Sequence, residues 1–281
     1  MSPRKSIIII IAAVTAMGLS LSLSIPLVSL ALERRDVGAD IIGLMGALPA
    51  LAFIFVSPVV PRLTRIFGSG PLLWLSLILC SGSIFGLALD DNLIYWFILR
   101  ILIGVGMSIL FLIAETWINQ VSSDENRGKI IGLYVTILTM GFASGPILIN
   151  FLGTEGTKPF VIASLIVASA GVVFLFAGRN YPKFEGQSSF SVFSFIRIAP
   201  LICAAALLLS FFDGTILTLL PVYGVRHEMS EGMAVLMTST LLAGNILLQF
   251  PIGWLADKFG EKPIILVCGL LGLTGAILLP S

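Results

Sequence analysis

From Ile7 to Leu279 the chain is a succession of nine long apolar runs separated by short polar joins, and this alternation limits its fold more than any single residue. The runs fall at 7–32, 40–61, 71–89, 93–119, 130–153, 158–179, 199–223, 232–255 and 263–279. As helices rising about 1.5 Å per residue, each is long enough to cross a hydrocarbon core of about 30 Å. Inside such a core every backbone N–H and C=O needs a partner within the chain, so the runs are expected to be helices. Composition agrees: 57% of residues are hydrophobic and 11% charged, where soluble domains average about 25% charged. The expected class is an all-α polytopic membrane bundle. A net charge of +1 offers no basic field to nucleic acid.

The first run begins like a leader, with Arg4 and Lys5 ahead of Ile7–Ile11. It then continues to Leu32, well past a leader core of about 7–15 residues, and shows no small-residue cleavage site. It reads as a retained first span. Orientation follows from basic residues in the joins. With the N-terminus cytoplasmic, eleven of the 16 Lys and Arg lie in inner segments, four in outer ones, and Arg100 within a span. The joins at 90–92 and 154–157 are so short that the helices they link must be antiparallel neighbours.

An internal repeat organises the runs. GWLADKFGEK, Gly253 to Lys262, is a charged turn between the last two runs, and Asp257, Lys258, Glu261 and Lys262 place it at a membrane surface. PRLTRIFG, Pro61 to Gly68, is its echo, 192 residues earlier. Pro26 and Pro221 correspond more loosely, 195 residues apart. Gly253 permits a close helix approach. Gly260 is suited to the left-handed conformation that ends a helix. Asp257 is placed to meet backbone donors at a nearby helix N-terminus. The expected domains are a six-span bundle at 1–179, a cytoplasmic linker at 180–198 rich in Ser with Pro182 and Gly186, and a partial three-span bundle at 199–281. Either the parent architecture has twelve spans and this chain is cut short, or another chain supplies the remainder.

These motifs resemble the major facilitator superfamily. GWLADKFG is similar to that family's signature loop, although Glu261 stands where a basic residue is usual. In the first-half copy Pro61 replaces the glycine and Arg65 the acid. LRILIGVGMS, Leu99 to Ser108, looks like the family's span-four motif, with Arg100, Gly104 and Gly106 in place. AETWINQ and NRGKIIGLY, between Ala114 and Tyr134, resemble a bacterial branch of uncharacterised inner-membrane facilitators related to drug-efflux and sugar carriers. GFASGP, Gly141 to Pro146, is similar to a Gly-Pro motif of antiporters. The resemblance implies a transporter in the plasma (inner) membrane, with a small-molecule substrate, protons as coupling ion and the lipid bilayer as partners. It also implies that spans one, four and seven line a central cavity.

Candidate residues follow from charge placed in apolar surroundings. Asp213, about fourteen residues into its run, is a candidate proton-binding group; the alternative is a neutral carboxyl hydrogen-bonded to Ser210 or a neighbouring helix. For Arg100 the resemblance implies a place near the substrate or proton route, within reach of Asp213; the alternative is a snorkelling side chain reaching Asp90 or Asp91. Glu115, Arg127, Gly253, Asp257, Lys258 and Gly260 form a candidate cytoplasmic gate; the alternative is a set of solvated helix ends. Asn245 and Gln249, four apart on one helix face, and Thr15, Ser20, Ser22 and Ser24 are candidate path-lining residues or inter-helix hydrogen-bonding groups.

Other function classes find little to stand on. No GxxxxGK[ST] loop occurs, so nucleotide hydrolysis has no phosphate cradle. No HExxH or Ser–His pairing occurs, and the single His227 lies in a loop, so no enzyme is expected. Cys80, Cys203 and Cys268 lack metal-ligand spacing, so no metal or cofactor is expected. The expected function is a secondary active transporter of a small solute, proton-coupled and working by alternating access. The alternative is a truncated non-transporting remnant or a receptor-like membrane protein.

Overall fold

The computed structural model describes residues 3–122, 127–176, 181 and 197–278. Among them every regular element is a helix: α1 (Pro3–Glu33), α2 (Ala39–Val56), α3 (Val60–Phe67), α4 (Ser69–Gly86), α5 (Leu93–Val121), α6 (Arg127–Leu152), α7 (Lys158–Leu175), α8 (Pro200–Arg226), α9 (Glu231–Phe259) and α10 (Glu261–Leu278). Seven of these, α1, α2 and α4–α8, are long and apolar enough to cross a membrane. The runs expected at 232–255 and 263–279 fall on α9 and α10, helices of 29 and 18 residues. The all-α polytopic class stands.

Contacts divide the chain into two compact units, residues 1–239 and 240–281. In the first, α1 is the most enclosed span. It packs against α5, α6 and α7 and also touches α8, while α5 packs against α2 and α4. The core lies where these helices meet, around Leu23, Leu27, Ile42, Met45, Leu73, Ile103 and Val167. Asn92 starts α5: its Oδ1 accepts from the backbone N–H groups of Ile94 (2.9 Å) and Tyr95 (3.3 Å), two donors the helix cannot satisfy itself. Only Tyr181 of the 180–190 stretch is described. Its ring lies against Gly70 and beside Trp117, 5.8 Å between centroids, and burial raises its phenol pKa.

The repeated turns differ from expectation in an informative way. The charged segment after Gly253 is not an extended turn: α9 continues through it to Phe259, and Gly260 alone separates it from α10. Its φ is +87°, and its N–H donates to Ala256 O at 2.8 Å. Gly68 does the same in the first copy, at φ +81° with its N–H on Thr64 O at 2.9 Å. Both glycines take a conformation that a Cβ would strain. The copies diverge upstream. The second run, expected at 40–61, closes at Val56, and PRLTRIF forms the separate helix α3, with Pro61 in its first turn, where no N–H is needed.

Gly104 shows how tightly α5 and α2 approach: a Cβ there would lie 2.4 Å from Pro49 O and 2.7 Å from Ala52 Cβ. Gly104→Ala is therefore expected to cost about 1–3 kcal/mol, the range for overpacking. Gly82, with open space around its Cα, is the control: Gly82→Ala should leave the thermal unfolding midpoint of the detergent-purified protein in place while Gly104→Ala lowers it.

Candidate functional site

Arg100 lies on α5, fully buried. A cation at this depth is costly unless it is well hydrogen-bonded. Its guanidinium faces two neighbouring helices. Nε donates to Met45 O on α2 at 2.9 Å, Nη1 to Ser24 Oγ on α1 at 3.1 Å, and Nη2 reaches Gly46 O at 3.5 Å. All three acceptors are neutral. Among the described residues no hydrogen bond or ion pair joins Arg100 to Asp213, nor does Arg100 reach Asp90 or Asp91. Asp91 pairs instead with Arg35, at 3.8 Å, and Arg35 stacks over Trp96, 5.2 Å from the ring centroid.

Asp213 occupies the middle of α8, in a stretch from Leu201 to Thr215 that is largely exposed. Among the described residues it has no hydrogen-bond partner, so Ser210 does not hold it. Toward its C-terminal end α8 turns inward: Thr218, Pro221 and Val222 are buried. Thr218 meets α2 at Gly46, where a Cβ would stand 2.4 Å from the threonine side chain.

The path candidates on α1 are inside helix interfaces. Ser20, Ser22 and Ser24 are fully buried. Ser22 Oγ donates to Gly141 O on α6 at 3.1 Å, and Thr15 Oγ1 donates back to Ile11 O at 2.8 Å. In the second unit Asn245 is exposed, and the Gln249 side chain lies outside the described residues. Of the gate candidates, Glu115 is exposed on α5 and Gly253 has nothing near its Cα. Lys258 Nζ sits 5.1 Å from the Trp254 ring centroid and 5.3 Å from that of Phe259. The side chains of Arg127 and Asp257 lie outside the described residues, and with them the ion pairs expected of that gate and the placement expected for Asp257.

The charges that do assemble lie at the end of the first unit opposite the N-terminus. Arg226, closing α8, holds Glu33, closing α1, with two parallel bonds: Nε to Oε1 at 2.7 Å and Nη2 to Oε2 at 2.9 Å. Arg34 pairs with Glu231, the first residue of α9, at 2.5 Å and donates to Thr154 O at 2.6 Å. Thr154 Oγ1 in turn donates to Glu231. The clasp thus ties α1 and the α6–α7 join to the α8–α9 join. A pocket of about 620 Å³ opens beside it, walled in part by Arg34, Arg35, Asp90, Asp91, Trp96 and Phe160. In the sequence Arg34, Arg35 and Arg226 stand only as charges of the outer joins. The repeat itself was the missed signal: Glu33 and Arg226 are 193 residues apart and Arg34 and Glu231 197, close to the 192-residue spacing of the turns.

The model of the Major Facilitator Superfamily matches residues 8–281. The chain belongs to that superfamily. A family member of Bacillus subtilis strain 168, the uncharacterized MFS-type transporter YfkF, is 29% identical over 280 residues, which cover 98% of this chain and 71% of the relative. The fold matches a bacterial homolog of the human lysosomal transporter Spinster, solved in an inward-facing, unoccupied conformation, with TM-score 0.75 at 15% identity over 92% of this chain. It also matches a D-xylose-proton symporter with TM-score 0.67 at 16% identity over 92% of this chain. The superfamily member spans 64% of the Spinster homolog and 70% of the symporter. Membership makes the chain a multi-pass membrane protein of a transporter family, with no enzymatic precedent among these relatives.

Glu33 and Arg226 report on one another. Glu33→Arg and Arg226→Glu should each lower the unfolding midpoint by placing like charges together, and the double swap should recover most of the loss. Equal loss in the swap and the singles would mean the pair contributes nothing as a pair.

Proposed function

We propose that the chain is a secondary transporter of a small solute, coupled to protons and working by alternating access in the bacterial inner membrane with its N-terminus cytoplasmic. The observation that carries this reading is the clasp. It joins the ends of the first helix of each proposed half, α1 of 1–179 and α8 of 199–281, on the side that the excess of inner Lys and Arg makes external. Ion pairs that form between moving halves in one access state and part in the other bias the two states. The clasped arrangement is the one closed to the outside, in keeping with a fold match to a carrier solved inward-facing.

Asp213 is the proposed coupling group. A carboxylate midway along a membrane helix, without a partner among the described residues, is stabilised by binding a proton, and its charge changes with the access state. Arg100 bears on the route through the helices it holds. Glu115, Arg127, Gly253, Asp257, Lys258 and Gly260 remain the proposed cytoplasmic gate, with Asn245 and Gln249 on the path.

The test is flux in vesicles holding the pH dye pyranine, with neutral sugars and lipophilic cations added outside one at a time. A solute that drives an internal pH change identifies the substrate class. Asp213→Asn should abolish that pH change without reducing membrane insertion. In a chain whose Cys203 and Cys268 are alanine, oxidation of a Glu33→Cys/Arg226→Cys pair should stop flux by at least about tenfold, and reductant should restore it. Flux that continues through the cross-linked protein would overturn the alternating-access reading, and absence of flux for every solute would favour the receptor-like alternative.

A further inference from the structure

The bonds that Arg100 makes have a cause in α2. Pro49 lies inside that helix and is buried. Proline has no N–H, so the carbonyl four residues back, Met45 O, loses its helical donor. In hydrocarbon no water replaces it, and an unsatisfied buried carbonyl is costly. Arg100 Nε donates to that same oxygen at 2.9 Å, and Nη2 lies 3.5 Å from the next carbonyl, Gly46 O. One turn further along α5, Gly104 brings the backbone against Pro49 itself. The guanidinium and the glycine thus lie on one face of α5, both directed at the break in α2.

The other side of the break faces α8. Gly46, whose carbonyl lies toward Arg100, stands against Thr218 so closely that no Cβ would fit between them. At this level α2 is held between α5 and α8, and Nη1 on Ser24 Oγ ties α1 to the same point. We infer that Arg100 is a positioning residue: it replaces the donor that Pro49 removes from Met45 and thereby fixes α2 where α2 meets α8. Full burial and three neutral acceptors fit this role, because a side chain with no exposed surface does not touch solute directly. The inference concerns the α2 break and stands apart from the transport reading.

The role makes a specific genetic prediction. Pro49→Ala returns an N–H at position 49, able to donate to Met45 O along the helix. Arg100→Met should lower the unfolding midpoint of the detergent-purified protein by at least about 2 °C, the shift produced by losing roughly one to two kcal/mol in a chain of this size. Pro49→Ala alone should change it little, and the Pro49→Ala/Arg100→Met double variant should regain at least half of the loss. Restoring a backbone donor returns neither the charge nor the volume of arginine, so neither an electrostatic nor a space-filling role gives this rescue. If Arg100→Met cannot be purified, recovery of monodisperse protein in the double variant is the same rescue. Arg100→Lys, which keeps the charge but lacks the planar fork that spans Met45, Gly46 and Ser24, should fall between wild type and Arg100→Met. Strictly additive losses in the double variant, or a double variant as unrecoverable as Arg100→Met, would overturn the inference.

Discussion

A carbonyl released inside a bilayer must find a donor from within the protein. That constraint turns every apolar run of this chain into a helix, and where a proline interrupts a helix the obligation passes to a neighbour. Met45 O is the clearest case. Its own helix cannot serve it, and Arg100 of α5 does. The arrangement places a permanent cation in the core without a counter-ion among the described residues, a cost that only the bonds to Met45, Gly46 and Ser24 offset. Removing the cation leaves an unpaired carbonyl, and removing the proline leaves a guanidinium with less to do. The two residues are one device drawn from different helices.

The remaining packing is organised around the same level. Gly104 lets α5 close on Pro49, and Gly46 lets α8 close on α2. α1 enters through Ser24, and Ser22, two residues before it, spends its hydroxyl on α6. Small residues and neutral hydroxyls dominate because no water is excluded when helices associate in lipid, so close approach and hydrogen bonding have to supply the attraction. The apolar side chains of the core then fill the space that this backbone spacing leaves.

Much of this was legible in the sequence, and the reasons for the rest are physical. Run length and charge placement locate the helices because the cost of a misplaced charge in hydrocarbon is large, and Gly260 is readable as a helix end because few other residues tolerate its φ. The charged stretch after Gly253 was misjudged as a turn: Leu255, Ala256 and Lys258 are good helix formers, and a helix end at a membrane surface is free to be polar. The partners of Arg100 were not legible. They are backbone carbonyls, identical at every position in a sequence, and only the missing N–H of Pro49 hinted that one of them was vacant. A carboxylate partner was the natural guess, and the fold supplied amide oxygens. The clasp lay in between. Glu33 and Arg226 are unremarkable loop charges until the duplication is used as a ruler, and then they fall at equivalent ends of two related helices.

That clasp is open to solvent. Its side chains keep between 16% and 49% of their surface accessible, and charges in that setting feel dissolved ions across about 8 Å at physiological salt. The bonds buried around Arg100 are deaf to such changes. The fluid bathing one face of the membrane therefore has a direct hold on the joint between α1 and α8, with dilute surroundings tightening it and brine loosening it, while the interior keeps its register.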